Sequence, residues 1–158
     1  MNNQTIEIPA LSNLLVNSDY AKKVLPFIKG DYFDVREEKI IFEEISNFVD
    51  KYKKIPTQTS LEIEVGERKD LTETEHNKIV EIIKTLNPEE VDMDWLVDTT
   101  EKFCKDKAIY NAIVEGISII DGKDKEKTQD AIPSIITEAL RVAVEKRVWH
   151  DYHLASEL

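Results

Sequence analysis

The chain has 158 residues, with 34% charged and 41% hydrophobic side chains, four glycines and five prolines. That balance excludes extended disorder and fits a helix-rich globular protein with room for one body and one projecting element. Thirty-two acidic against 21 basic residues give a net charge of -11, so contact with a phosphate backbone would need a local basic patch working against the overall field.

Apolar spacing and stop signals divide the chain into helices. A first short helix is expected from about Ile6 to Val16. Asn17-Ser18-Asp19 caps a second that runs toward Leu25 and is limited by Pro26. Gly30-Asp31 makes a break. From Asp34 to about Lys53, residues Ile40, Ile41, Ile45, Phe48, Val49 and Tyr52 keep helical spacing up to the stop at Pro56. Thr59 or Ser60 is expected to cap a shorter helix through Leu61 and Val65. Thr72-Glu73-Thr74-Glu75 has the form of a capping box, and Ile79, Val80, Ile82, Ile83 and Leu86 follow it as far as Asn87-Pro88. Asp92 or Asp94 then opens a long helix through Trp95, Leu96, Phe103 and Tyr110.

On that long helix Ala108, Ile109, Tyr110, Ala112, Ile113, Val114, Ile117, Ile119 and Ile120 spread over an arc of about 240°. Asn111, Glu115 and Ser118 share the remaining wedge. An arc this wide exceeds the ~100° stripe that one packing partner covers. After the charged turn at residues 121 to 130, Ile132, Ile135, Ile136, Ala139, Leu140, Ala143 and Val144 form a second amphipathic run. The pair reads as an antiparallel helical hairpin, and the uncovered part of the arc must meet either the body of its own domain or another copy of the chain. A second copy is the favoured occupant, with Ile109, Tyr110, Ile113, Ile117, Ile120, Ile136 and Leu140 as hairpin core and self-contact. No stretch shows sustained two-residue alternation. The fold class is therefore all-α, a small bundle at residues 5–90 followed by a long antiparallel hairpin at 91–148, with 149–158 the start of a linker or a terminal tail.

Chemical motifs are scarce. The one Gly-Lys pair, Gly122-Lys123, has Asp124 where a phosphate loop needs a hydroxyl and Ile117 where it needs its leading glycine, so the chain has no Walker A motif. His150, Asp151 and His153 lack a third neutral ligand nearby and read as a surface group rather than a metal site. His76 has no partner that sequence identifies. No Ser, Cys or Thr stands beside an evident activating base, and the carboxylates are too evenly spread to nominate an acid–base pair. Lys51, Lys53 and Lys54 cluster at one helix end, where they suit the helix dipole. Cys104 is the single cysteine, which rules out an intramolecular disulfide and fits a cytoplasmic setting. No apolar run approaches the ~20 residues that a membrane crossing requires, and the N-terminus lacks a signal-peptide plan. Catalytic residues, cofactors and metals are thus expected to be absent, along with direct nucleic-acid or membrane binding.

A set of fragments in fixed order carries a family resemblance: Asp31-Tyr32-Phe33, Ile55-Pro56-Thr57 with Leu61, Thr72-Glu73-Thr74-Glu75, Trp95-Leu96-Val97 with Thr100-Glu101-Lys102, Asn111-Ala112, Ala131-Ile132-Pro133 with Ala139-Leu140, and His150-Asp151. Over residues 5 to 152 the chain resembles the N-terminal domain of replicative DNA helicases of the DnaB family, and within it the helicases of T-even-type bacteriophages. The resemblance implies a non-catalytic collar tier in which hairpins pair between subunits as dimers, or as three such dimers closed into a ring. It also implies a surface offered to primase or a helicase loader, and a place in the host cytoplasm if the chain is phage-encoded. The ATP-dependent motor would lie in a separate RecA-like domain. Leu154 to Leu158 do not match the family linker, which leaves room for an alternative, a free-standing regulator or decoy that binds a helicase.

Overall fold

A computed structural model describes residues 5–144. The expected tail at 149–158, the group His150, Asp151 and His153, and the last residues of the hairpin as expected lie outside them. Among the described residues there are seven α-helices and no strand: α1 (Glu7–Leu14), α2 (Ser18–Val24), α3 (Arg36–Tyr52), α4 (Gln58–Gly66), α5 (Glu73–Thr85), α6 (Met93–Ile120) and α7 (Ile132–Val144), with short 3-10 turns at Gly30–Tyr32 and Gln129–Ala131. The all-α class is as the periodicity implies. Cα packing separates the chain into two compact units, residues 1–100 and 101–158, and the division falls within α6.

In the first unit α3 packs on α1, α4, α5 and the first 3-10 turn, and α4 packs on α5. Its core holds Leu11, Leu14, Tyr20, Val24, Ile41, Ile45, Leu61, Val65, Ile79, Ile83 and Leu96, all fully buried. Most of these are branched aliphatics one helical turn apart on their own helices, the stripe by which an amphipathic helix is recruited to a core.

Local chemistry sets the helix ends. Asn17 accepts a hydrogen bond from the Tyr20 N–H at 3.0 Å and so starts α2. Thr72 accepts from the Glu75 N–H at 3.1 Å while the Glu75 carboxylate accepts from the Thr72 N–H at 3.4 Å, closing the expected capping box. The expected cap of α4 is corrected by two or three positions. Thr57 accepts from the Ser60 N–H at 3.1 Å, and the Ser60 hydroxyl oxygen accepts from the Thr57 N–H at 2.8 Å. Gln58 then donates to the Ile83 and Leu86 carbonyls at 3.0 and 2.7 Å. One amide thereby serves two carbonyls at the end of α5, Leu86 O and Ile83 O, the latter also accepting the Leu86 N–H at 3.1 Å.

The second unit contains most of the hairpin. α6 ends in a Schellman turn: Gly122, at φ +74°, donates its N–H to Ile119 O at 3.1 Å, and Lys123 donates to Ser118 O at 2.9 Å. The Gly-Lys pair that fails as a phosphate loop is thus a helix stop that only glycine fits without strain. Asp124 accepts from the Glu126 and Lys127 N–H groups at 2.9 and 3.1 Å, and Lys127 turns back to pair with Glu115 of α6. The turn is ordered by its own side chains, and it delivers Ile132 of α7 beside Gly116 of α6.

Candidate assembly face on the hairpin

The side of α6 that its own chain covers in the second unit is not its greasiest side. Cys104, Ala112, Gly116 and Ile119 are buried, while Asn111, Glu115 and Ser118 beside them are half-buried. Rotating about 100° per residue places Ala112, Gly116 and Ile119 within one narrow sector. Small side chains there allow the helix to be approached closely, and the bulkier residues consequently look outward.

Ile109, Tyr110, Ile113, Val114, Ile117 and Ile120 all lie on the exposed side, with Ile113 51%, Ile117 53% and Ile120 62% accessible. On α7, Leu140 and Val144 are exposed one turn apart, while Ala139 is buried. Of the seven residues expected to serve the hairpin and its self-contact, the structure leaves six exposed on the single chain, namely Ile109, Tyr110, Ile113, Ile117, Ile120 and Leu140. Ile136 is half-buried. Val114 and Val144 join the exposed set; both stand in the apolar runs read from the sequence, Val114 in the wide arc and Val144 in the second run, but neither is among the seven residues named for the self-contact.

A row of β-branched and aromatic side chains at half exposure is unfavourable in water. Covering one such residue fully gains about 1.5–3 kcal/mol relative to leaving it out, so partial exposure forfeits a large part of that. Charges are few on this face. The Lys107 ammonium sits 5.4 Å from the centre of the Tyr110 ring, a cation–π contact at its edge. The face can bury apolar area against a partner and carries no arrangement for bond chemistry.

The chain's other polar features have structural uses. Among the described residues no group of three His, Cys, Asp or Glu side chains comes together to hold a metal ion. Lys51 lies 5.1 Å above the Tyr52 ring, and Lys53 closes α3 in the left-handed conformation at φ 58°. Arg68 pairs with Glu44 at 3.1 Å and with Asp70 at 2.8 Å. The Cys104 thiol is buried, and that burial, followed by the nearby Glu101 charge, pushes its pKa up. A raised thiol is a poor nucleophile. No helix of the described residues is long and apolar enough to cross a membrane.

No known protein-family profile matches the chain. A curated protein described as a DnaB-like replicative helicase, from Enterobacteria phage T4, is 31% identical over 150 residues, which is 90% of this chain. The chain is a homologue of that DnaB-like replicative helicase. It spans about a third of the relative's length, since the matched region is 31% of that protein. The resemblance drawn from scattered fragments thus holds along nearly the whole sequence. Among its described residues this helicase-related chain is all-helical, and the phosphate-loop motif of a helicase motor does not occur in its sequence.

Proposed function

We propose that this chain is a non-catalytic collar domain of a replicative DNA helicase that pairs its hairpin with that of a second copy during DNA replication. The observation that carries this reading is the row Ile109, Tyr110, Ile113, Ile117 and Ile120, exposed along one side of α6 while Ala112, Gly116 and Ile119 are covered. An uncovered apolar strip of that length on a soluble chain marks a protein contact, and the relative supplies the context of a helicase. In this proposal residues 5–90 form the bundle, 91–148 the hairpin, and 149–158 lead into a linker or tail. Leu140 and Ile136 border the contact on α7, and Val114 and Val144 extend it. Dimers, or three of them in a ring, would present the collar surface to primase or a helicase loader in the host cytoplasm. The chain itself contacts neither nucleic acid nor membrane.

Sedimentation velocity on the full chain tests the pairing. Wild type is expected to associate with rising concentration, and Ile113→Asp or Ile117→Asp to give monomers of unchanged helicity, because both positions are half-exposed in the single chain but would strand a carboxylate inside an interface. A concentration-independent wild-type monomer would overturn the reading. Mixing the chain with the primase and loader from the same source, and weighing the complexes, tests the partners separately.

A further inference from the structure

Four helix ends meet at one end of the first unit. Five residues join α3 to α4 and seven join α5 to α6, and Gln58, at the start of α4, clasps the end of α5 through the Ile83 and Leu86 carbonyls at 3.0 and 2.7 Å. Both joins therefore lie at that end, and they carry opposite charge. Around the first stand Lys51, Lys53 and Lys54, all exposed, with Asp50 the only acid from residue 45 to residue 61. Around the second stand Glu89, Glu90, Asp92 and Asp94, all exposed, and no Lys or Arg occurs between Lys84 and Lys102. Among the described residues none of these three lysines and four acids forms an ion pair.

Apolar surface accompanies the charge. Tyr52, 46% accessible, has the Lys51 ammonium 5.1 Å from its ring centre, and Val91 and Trp95 are exposed in the acidic stretch. Lys53 adds strain. It closes α3 at φ 58°, in the left-handed region where a Cβ is unfavourable and glycine is the usual residue. The dipole of α3 favours a cation in its last turn, but it does not select lysine over glycine at the cap. A strained side chain kept at an exposed, charged corner is one that binding has reason to retain.

We propose that this end of the bundle is a second contact between copies of the chain, in which the lysines around Tyr52 of one copy meet the acidic stretch 89–94 of another. Patches of opposite charge on one surface are self-complementary. A two-fold axis between two such ends sets each basic patch on the other copy's acidic one, so both pairings form at once. Aromatic side chains among rim charges are the composition of a protein contact. The inference rests on the hairpin pairing, because so few side chains hold two single chains only weakly, whereas a hairpin dimer presents two such ends. Hairpin and bundle contacts, alternating, would close three dimers into a ring.

Sedimentation velocity on the full chain at low and high salt is the test. Wild type is expected to pass from dimers to larger species as concentration rises, and about 1 M salt, which shortens the reach of charge to about 3 Å, to hold it at dimers. Lys51→Glu, Lys53→Glu and Lys54→Glu together are expected to stop at dimers, as are Glu89→Lys and Glu90→Lys together. An equimolar mixture of these two variants is expected to regain species larger than the dimer, because each reversed patch then faces its opposite. Lys53→Gly, freed of its left-handed Cβ, is expected to unfold about 2–4 °C higher and yet to weaken the second step roughly two- to fivefold, as one lost surface charge pair does. A wild type that stops at a dimer indifferent to the lysine reversals overturns this contact and leaves the hairpin reading standing. A dimer lost on lysine reversal but kept in Ile113→Asp overturns the hairpin reading and upholds the bundle contact, and a wild type that stays monomeric overturns both. A mixture that fails to regain the larger species overturns the pairing of these two patches. So does loss through the lysines alone, which would assign them to a different acidic partner.

Discussion

The hydroxyl of Tyr20 lies 2.7 Å from the hydroxyl of Thr100, eighty positions later, and both side chains are fully buried. Thr100 donates its own hydrogen to Leu96 O at 2.7 Å, so in this bond Tyr20 is the donor and Thr100 the acceptor. α2 is thereby tied to the first half of α6 by a directional contact inside a largely apolar core. Tyr20→Phe keeps the ring and removes only the donor. It is expected to cost about 1 kcal/mol in urea unfolding, the usual net value of one internal hydrogen bond. A double-mutant cycle with Thr100→Val should return a coupling of about that size; additive single effects would mean that the two hydroxyls meet without gaining from each other.

Arg68 holds two carboxylates in opposite states. Asp70 receives the guanidinium on an exposed edge and is lowered to about 2 by that hydrogen bond, whereas Glu44 is raised, because its burial outweighs the pull of Arg68. Arg68→Ala is expected to return the Asp70 midpoint toward 3.9 and to move Glu44 further up. The two shifts also differ in their effect on stability. The Asp70 contribution is present above its unfolded pKa and is lost as pH falls through about 2, while the Glu44 contribution grows as pH falls toward the ordinary glutamate value. Carboxyl NMR on wild type and variant reads both midpoints, and a midpoint of either residue that fails to rise in the variant would contradict this account.

Much of the fold was legible because helices announce themselves locally. The Thr72–Glu75 box, the Asn17 cap and the aliphatic spacing of α3 and α5 each rest on residues within one or two turns. The α4 cap was missed because its box closes with Ser60 rather than Glu or Gln, outside the usual pattern. The reach of Gln58 to the end of α5 depends on which helices dock, which no local pattern states. On α6 the breadth of the apolar arc was visible in the sequence, but the sector its own chain covers was not. That choice turns on small residues, and Gly116 contributes nothing to an apolar count although it is the point where Ile132 comes near.

Cys104 offers a probe of α6 itself. The thiol is fully buried and its pKa is raised by burial and by Glu101, so a thiol reagent reaches it only when the helix opens or the chain unfolds. At pH 8 its modification in native protein is expected to be at least about 1000-fold slower than in urea, as an opening free energy of ordinary size requires. Fast modification without denaturant would show that α6 opens locally around residue 104.

Gly116 separates the packing of the hairpin from its proposed self-contact. A methyl group added there would stand 4.0 Å from Cγ2 of Ile132, an ordinary van der Waals distance, and alanine in a helix interior is better than glycine by about 1 kcal/mol. Gly116→Ala is therefore expected to raise the unfolding midpoint by about 2–4 °C. Gly116 is buried whereas Ile113 and Ile117 are exposed, so the same variant should leave self-association unchanged. Gly116→Leu adds three further carbons on this buried side. It is expected to push α7 away, speeding amide exchange along residues 132–144 and lowering the midpoint. If Gly116→Ala instead weakened association as strongly as Ile117→Asp, the covered and exposed sides of α6 would have exchanged roles, and the partner would approach along the small-residue side.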